Sequence, residues 1–253
     1  MRKVACITGG SHGIGRGMAI ALGKAGYAVA FTYYENEGEA IEVQQTLSTL
    51  GMRCACYQAK MEDITAAEQL ISRVRREFGQ IDVMICNGAM DRRMSILTVT
   101  PEQMQFMTTQ LYISQILCAS RAAQWMVKDE IAGSILFTSS VRAQRADTSD
   151  FLYGGMKAAL ERSCQSLALE LAPYGIRSTA LLPAPSTRPA IRRRGLATGC
   201  QTAGLISPLP YIADWRRYAR AKAGGLLRSL RRKDGMARAQ RSFSHRLHGE
   251  FTP

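Results

Sequence analysis

Eight residues near the amino terminus, Thr8-Gly9-Gly10-Ser11-His12-Gly13-Ile14-Gly15, constrain the fold more than any other stretch. They follow a short apolar run, Val4-Ala5-Cys6-Ile7, that reads as a buried strand. They precede Met18-Ala19-Ile20-Ala21-Leu22, which reads as a helix. A glycine loop between strand and helix is the setting of a phosphate-binding turn. Gly9 would permit the tight turn, Gly13 the close approach of backbone to a pyrophosphate, and Gly15 the packing of helix on strand. The helix N-terminus would then face the phosphates. A plain glycine turn in an α/β protein is the competing reading.

Downstream, apolar runs and amphipathic segments alternate up to residue 183. Strands are expected at Val4–Ile7, Ala28–Tyr33, Arg53–Tyr57, Val83–Cys86, Ser134–Thr138 and Ser178–Leu182. Helices are expected at Ile14–Ala25, Glu37–Leu50, Thr65–Phe78, Pro101–Met126 and Phe151–Ala172. Such alternation implies right-handed βαβ crossovers and a doubly wound, mainly parallel sheet in a three-layer α/β/α sandwich. Ligands bind such sheets beyond the carboxyl ends of the strands. The glycine loop, Asn87 and Ser140 each fall just past a strand end, so the topology predicts that they converge.

Tyr153-Gly154-Gly155-Met156-Lys157 sets a phenol and an ammonium four residues apart, with Ser140 thirteen residues upstream. On a helix, residues i and i+4 share a face. A neighbouring ammonium is expected to lower the phenol pKa from its usual ~10, which suits proton transfer beside a carbonyl. Tyr-x-x-x-Lys alone is common by chance; the glycine loop in the same chain gives it weight.

Together these motifs resemble the classical short-chain dehydrogenase/reductase family. The stretches that carry the likeness are Thr8–Gly15, Ile81-Asp82-Val83-Met84-Ile85-Cys86-Asn87-Gly88-Ala89, Thr138-Ser139-Ser140, Tyr153–Lys157, and Leu167–Arg177 leading into a sixth strand. It covers about residues 1–183, and within the family it is nearest to 3-oxoacyl-[acyl-carrier-protein] reductases and related sugar or ketone reductases. The resemblance implies a nicotinamide-dependent enzyme acting on a small carbonyl or alcohol. Tyr153 would be the general acid or base. Lys157 would tune the phenol and hold the nicotinamide ribose. Ser140 would donate to the substrate oxygen. Gln110 would stand where the family often carries an Asn that relays protons through water to the lysine. Thr8, Gly9, Ser11, His12, Gly13, Ile14, Gly15, Thr32, Tyr33, Asn87 and Gly88 would line the cofactor, together with Tyr153 and Lys157.

The chain departs from the family pattern in places. The Asn-Asn-Ala-Gly motif reads Cys86-Asn87-Gly88-Ala89, and Lys60 replaces the Asp that usually contacts adenine. At the end of the second strand, Thr32 and Tyr33 supply no acid for a ribose 2′-hydroxyl. His12 and the Thr32 hydroxyl would help a 2′-phosphate, and Glu35 would oppose it. The balance favours NADP, with NAD as the alternative.

The formal charge of +13 is unevenly spread. Residues 184–253 hold 15 Lys and Arg against 3 Asp and Glu, and residues 1–183 hold 18 against 17. We therefore divide the chain into a Rossmann-type dinucleotide-binding and catalytic domain, 1–187, and an Arg-rich tail, 188–253. The tail has a family-like length but lacks the expected lid, final helix, seventh strand and Val-Asp-Gly-Gly-like ending. Three readings of it stand: an out-of-frame translation beginning near codons 183–190, a divergent and partly helical ending, or a basic arm for nucleic acid or anionic membrane. Charge runs are usually solvated faces, so small-molecule chemistry is the expected business of the chain, and nucleic-acid or membrane contact is not. The resemblance implies a homo-oligomer, but the family's subunit contacts depend on the region the tail replaces. Two rival functions follow: a non-catalytic relative with an unfinished pocket, and a basic interaction protein.

Seven cysteines show neither disulfide nor metal spacing, and His245-x-x-His248 is the only histidine pair. No metal is expected. Reduced thiols, and an apolar run after Met1-Arg2-Lys3 too short for a signal peptide, point to the cytoplasm.

Overall fold

Six parallel strands form the sheet in residues 2–183, the part of the chain that the computed structural model describes. They are β1 (Val4–Ile7), β2 (Ala28–Tyr33), β3 (Cys54–Gln58), β4 (Val83–Cys86), β5 (Ser134–Thr138) and β6 (Arg177–Leu181). Their spatial order is β3-β2-β1-β4-β5-β6. The order reverses between β1 and β4, which opens a crevice at the carboxyl end of the sheet, where ligands of doubly wound folds bind. The register Cys6↔Met84 and Ile7↔Ile85 brings the glycine loop after β1 beside Asn87 after β4. Expectations about the Arg-rich segment from residue 188, its partly helical reading, the missing seventh strand and the His245/His248 pair lie outside the described residues.

The central strands are short, β-branched or small, and buried on both faces, as a parallel sheet requires. Every residue of β1 is buried, and Phe31 of β2 is fully enclosed. On one face, Ile7, Val29, Phe31 and Ile85 meet Ala19 of α1 (Gly13–Lys24) and Ala40, Val43 and Leu47 of α2 (Glu37–Thr49). Helix α3 (Ile64–Phe78) turns its apolar stripe, Ala67, Leu70, Ile71, Val74 and Phe78, inward.

Helix ends follow local chemistry. Asn36 and Asp63 cap α2 and α3 by accepting from the backbone N–H of Glu39 and Thr65, and Gly79 closes α3 in the left-handed conformation (φ 86°). Thr100 and Gln103 form a reciprocal capping box at the start of α4 (Pro101–Thr108), with Pro101 in the first turn.

The single helix expected over Pro101–Met126 is instead three pieces: α4, a π-helical turn (Thr109–Ile113), and α5 (Ser114–Lys128). A π-turn widens one turn of an otherwise continuous helical segment. Hydrophobic periodicity is blind to it for that reason. Helix α6 (Phe151–Leu171) crosses back to β6 and carries Tyr153 and Lys157. Among the described residues no helix is long and apolar enough to cross a membrane.

Candidate active site

The first part of the site is a knot between two strand ends. After β1, Gly9 adopts φ +66°, and a Cβ there would lie 2.8 Å from the Gly88 Cα. A Cβ on Gly15 would lie 2.7 Å from the Asn87 amide nitrogen and still nearer to the Gly9 carbonyl oxygen. Gly13 also has a positive φ, 57°. Both strand ends therefore approach to a distance only glycine allows. The Asn87 side chain donates to the carbonyls of Thr8 (3.1 Å) and Gly9 (3.0 Å), and the Thr8 hydroxyl accepts from the backbone N–H of Asn87 and Gly88, each 2.9 Å away.

Helix α1 opens from this knot without a side-chain cap. His12 occupies the capping position and makes no capping hydrogen bond, and no acidic residue stands in the first turn. Helices α2, α3 and α4 all carry caps. The bare N–H groups of α1, the glycine cradle and the positive end of the helix dipole together suit an anionic pyrophosphate.

Two residues expected at the cofactor make contacts within the glycine loop itself. Thr32 is buried, and its hydroxyl accepts from the Gly9 N–H at 2.9 Å, so it anchors the glycine loop. Ser11 is likewise buried, with its hydroxyl 3.1 Å from the His12 Nδ1. His12 stays exposed, but Nδ1 lies 3.6 Å from the Glu39 carboxylate. Tyr33 is half-buried, and its phenol pKa is raised by burial and then by Glu37. Tyr34 gives its hydroxyl proton to Glu62 at 2.7 Å. Acidic side chains thus crowd the end of β2 more than Glu35 alone implied.

The second part of the site lies past β5. Ser140 leaves the strand in an extended conformation and accepts from the Arg142 N–H at 3.2 Å. Arg142 then grips the start of α6: its guanidinium lies 3.0 Å from the buried Asp150 carboxylate and 2.9 Å from Asp147, which also pairs with Arg93 at 2.9 Å. Gly154 lets α6 close onto this segment, since a Cβ there would lie 2.9 Å from the Arg142 carbonyl. The clamp presents Tyr153 to Ser140. Tyr153 also packs with Met94, Phe106 and Met156 against buried Met107, Leu111 and Leu152. An open pocket of about 700 Å³, lined by Asp91–Met94, Glu102, Gln103 and Phe106, shares Met94 and Phe106 with that cluster.

Lys157 is only 3% exposed. Its Nζ donates to the Thr138 carbonyl at 2.7 Å and lies 5.6 Å from the centroid of the Tyr153 ring, so the two side chains do share one helix face. Burial pulls its pKa down to about 8, against smaller upward pulls from Cys86 and Asp91. The expected lowering of the Tyr153 pKa does not occur. Burial raises it, Asp91 and Asp150 push the same way, and Ser140 and Arg142 pull back without reversing the shift. Desolvation of a half-buried phenol outweighs the attraction of an ammonium that is turned toward Thr138.

Gln110 is buried in the π-turn, and its side-chain oxygen accepts from the Met90 N–H at 2.9 Å. Its backbone carbonyl accepts from the Gln115 side chain at 3.1 Å. Both groups are thus tied to the wall of the site. Sequence reasoning missed Asp91 and Arg142, whose charges act on Tyr153, because both sit in segments without periodic pattern. The described cysteines are all free thiols, with Cys6 pushed up to about 12 by burial. Among the described residues no group of His, Cys, Asp or Glu is arranged to hold a metal ion.

A parallel sheet with its order reversing at β1/β4, a glycine cradle on one side of the reversal and a Ser–Tyr–Lys set on the other define a Rossmann-type NAD(P)-dependent oxidoreductase. The family model described as enoyl-(acyl carrier protein) reductase matches residues 9–202. The oxidoreductase YhdF of Bacillus subtilis (strain 168) is 31% identical over 208 residues, covering 82% of this chain and 71% of that protein. Tetrahydroxynaphthalene reductase PfmaG of Pestalotiopsis fici is 33% identical over 182 residues, covering 72% of this chain and 65% of that one. A Burkholderia cenocepacia J2315 short-chain dehydrogenase, solved in complex with NADP, superposes with a TM-score of 0.68 at 31% identity, covering 72% of this chain and 74% of that one. The chain belongs to the classical short-chain dehydrogenase/reductase family.

Proposed function

We propose that the chain reduces a ketone, or oxidises the matching secondary alcohol, with a 3-oxoacyl thioester or a similarly shaped ketone as substrate. The observation that carries this reading is the buried Lys157 beneath Tyr153 and one strand end from Ser140. Burying an ammonium is costly, and among the described residues this one has a single fixed carbonyl partner. Perturbed, desolvated groups at a strand-end crevice are the mark of catalytic sites.

The cofactor, when bound, supplies or accepts the hydride. The protein handles the proton. The raised pKa of Tyr153 keeps the phenol protonated at neutral pH, ready to be given to a carbonyl oxygen. The Ser140 hydroxyl would donate to the same oxygen and favour charge developing there. Lys157 would supply positive charge and ribose contacts from beneath. The uncapped start of α1 and the Gly9–Gly13–Gly15 cradle would take the pyrophosphate, and Asn87 and Gly88 would flank the nicotinamide half. The pocket beside Met94 and Phe106 would receive the apolar part of the substrate.

We assign NADP as the preferred cofactor and NAD as a second. The relative solved with NADP and the lack of an acid at Thr32 and Tyr33 support this; Glu39 beside His12 works against it and keeps the preference modest. The test is cofactor consumption with a panel of small ketones and 3-oxoacyl thioesters, followed by absorbance. Oxidation of NADPH that requires the ketone is the expected result. Absence of both turnover and binding, across both cofactors, would sink the reading.

A further inference from the structure

The segment that leaves β4, Asn87–Met90, forms no helix or strand, yet three of its four backbone N–H groups and the Gly88 carbonyl are held by side chains from elsewhere in the chain. The N–H groups of Asn87 and Gly88 both donate to the Thr8 hydroxyl at 2.9 Å. The N–H of Met90 donates to the Gln110 side chain at 2.9 Å. The carbonyl of Gly88 accepts from Gln115 Nε2 at 2.7 Å.

Gln115 is 2% exposed, in the first turn of α5 just past the π-turn. Its amide nitrogen also donates to the Gln110 carbonyl at 3.1 Å. Its amide oxygen lies 3.1 Å from the Thr8 hydroxyl. Because Thr8 Oγ1 already accepts two N–H groups, its own proton goes outward, and the Gln115 oxygen is the nearer acceptor; the alternative, the Ile85 carbonyl, is at 3.5 Å. This fixes which way the Gln115 amide faces. One carboxamide therefore joins the end of β1, the exit of β4 and the π-turn. A buried amide costs stability unless its hydrogen bonds are satisfied, so mere space-filling is served better by an apolar side chain.

We propose that Gln115 is a positioning residue: its carboxamide, with Thr8 and Gln110, holds Asn87–Met90 in the shape that receives the cofactor. The inference rests on the NAD(P)-dependent reading above. The loop borrows its shape from a helix. Gly88 is also packed directly on Gly9, so a shift of the β4 exit moves the glycine cradle with it. When the receptive shape is only one of several that are populated, apparent affinity falls by its fractional population.

The test uses the full chain, with NADH and NADPH titrated by nicotinamide fluorescence and amide hydrogen exchange followed at Asn87–Met90. Gln115→Met keeps the volume and removes the three hydrogen bonds. Dissociation constants for both cofactors should rise about tenfold or more. Exchange at Asn87–Met90 should accelerate while β1 and β5 keep wild-type rates. Gln115→Glu keeps the acceptor for Thr8 but loses both donors, and protonation of its carboxyl, which burial favours, returns one of them. NADH binding by that variant should recover as pH falls, whereas the wild type shows no such recovery; this variant also carries the test if Gln115→Met does not fold. Affinities within about twofold of wild type for Gln115→Met would overturn the proposal. So would unchanged exchange at Asn87–Met90, or a Glu variant whose binding ignores pH. If the wild type binds neither cofactor, the NAD(P) reading fails, and the exchange pattern alone decides whether Gln115 holds the loop.

Discussion

Replacing Lys157 with Met should make the protein relatively more stable at neutral pH and lose that advantage as pH rises. The lysine's ordinary pKa of 10.5 falls to about 8 in the folded state because burial disfavours the charged form. In the unfolded chain the ammonium keeps its proton up to the ordinary value. Below the folded pKa both states are protonated, and folding carries the full cost of burying the charge. Between the two values the unfolded state binds more protons, so wild-type stability climbs with pH. The fall from 10.5 to about 8 corresponds to about 3 kcal/mol over the whole window, and about 2 kcal/mol of it falls between about pH 7 and about pH 9.5. Methionine does not titrate, and losing the Thr138 hydrogen bond affects the variant equally at both pH values. The difference in urea-unfolding free energy between wild type and Lys157→Met should therefore move by about 2 kcal/mol in favour of wild type across that range. A difference constant to within about 0.5 kcal/mol would show that Lys157 titrates normally and is not desolvated as the structure has it.

Gly15→Ala forces a Cβ into the Gly9 carbonyl and the Asn87 amide; it should abolish cofactor binding in a fluorescence titration and destabilise the fold by about 2 kcal/mol or more in urea unfolding. Glu39→Gln removes the carboxylate beside His12 and should tighten NADPH by about threefold relative to NADH in calorimetry, with NADH little changed. Because the phenol of Tyr153 is held above its ordinary value, alcohol oxidation should rise with pH past neutrality while ketone reduction holds at neutral pH and falls in alkali; initial rates in both directions across pH check this.

Most of the sheet is legible in the residues themselves. Strands at Val4–Ile7, Ala28–Tyr33, Val83–Cys86 and Ser134–Thr138 run as the apolar pattern sets them, because strands buried on both faces leave continuous apolar runs. Among the described residues the two outermost strands slip by one residue, to Cys54–Gln58 and Arg177–Leu181, where burial is weaker and the pattern blurs. The glycine loop, Asn87, Ser140, Tyr153 and Lys157 all fall at the carboxyl end of the sheet, as the topology requires. The π-turn at Thr109–Ile113 left no periodic trace, and with it the paired use of Gln110 and Gln115 was hidden. Thr32 reads as a ligand-facing hydroxyl from its place at a strand end, but three-dimensional packing commits it to Gly9. The Tyr153 shift runs opposite to the expected direction because sequence spacing reports which charges are near and says nothing about how much water is excluded.

In the proposed reaction Tyr153 passes a proton to a carbonyl oxygen while hydride moves between cofactor and substrate. Steady-state reduction of a ketone that the wild type accepts, measured side by side with Tyr153→Phe, tests it most directly. Turnover should fall by ~10²-fold or more, with NADPH affinity largely kept, because only the proton-bearing hydroxyl is gone. Equal turnover in the two proteins would contradict the account.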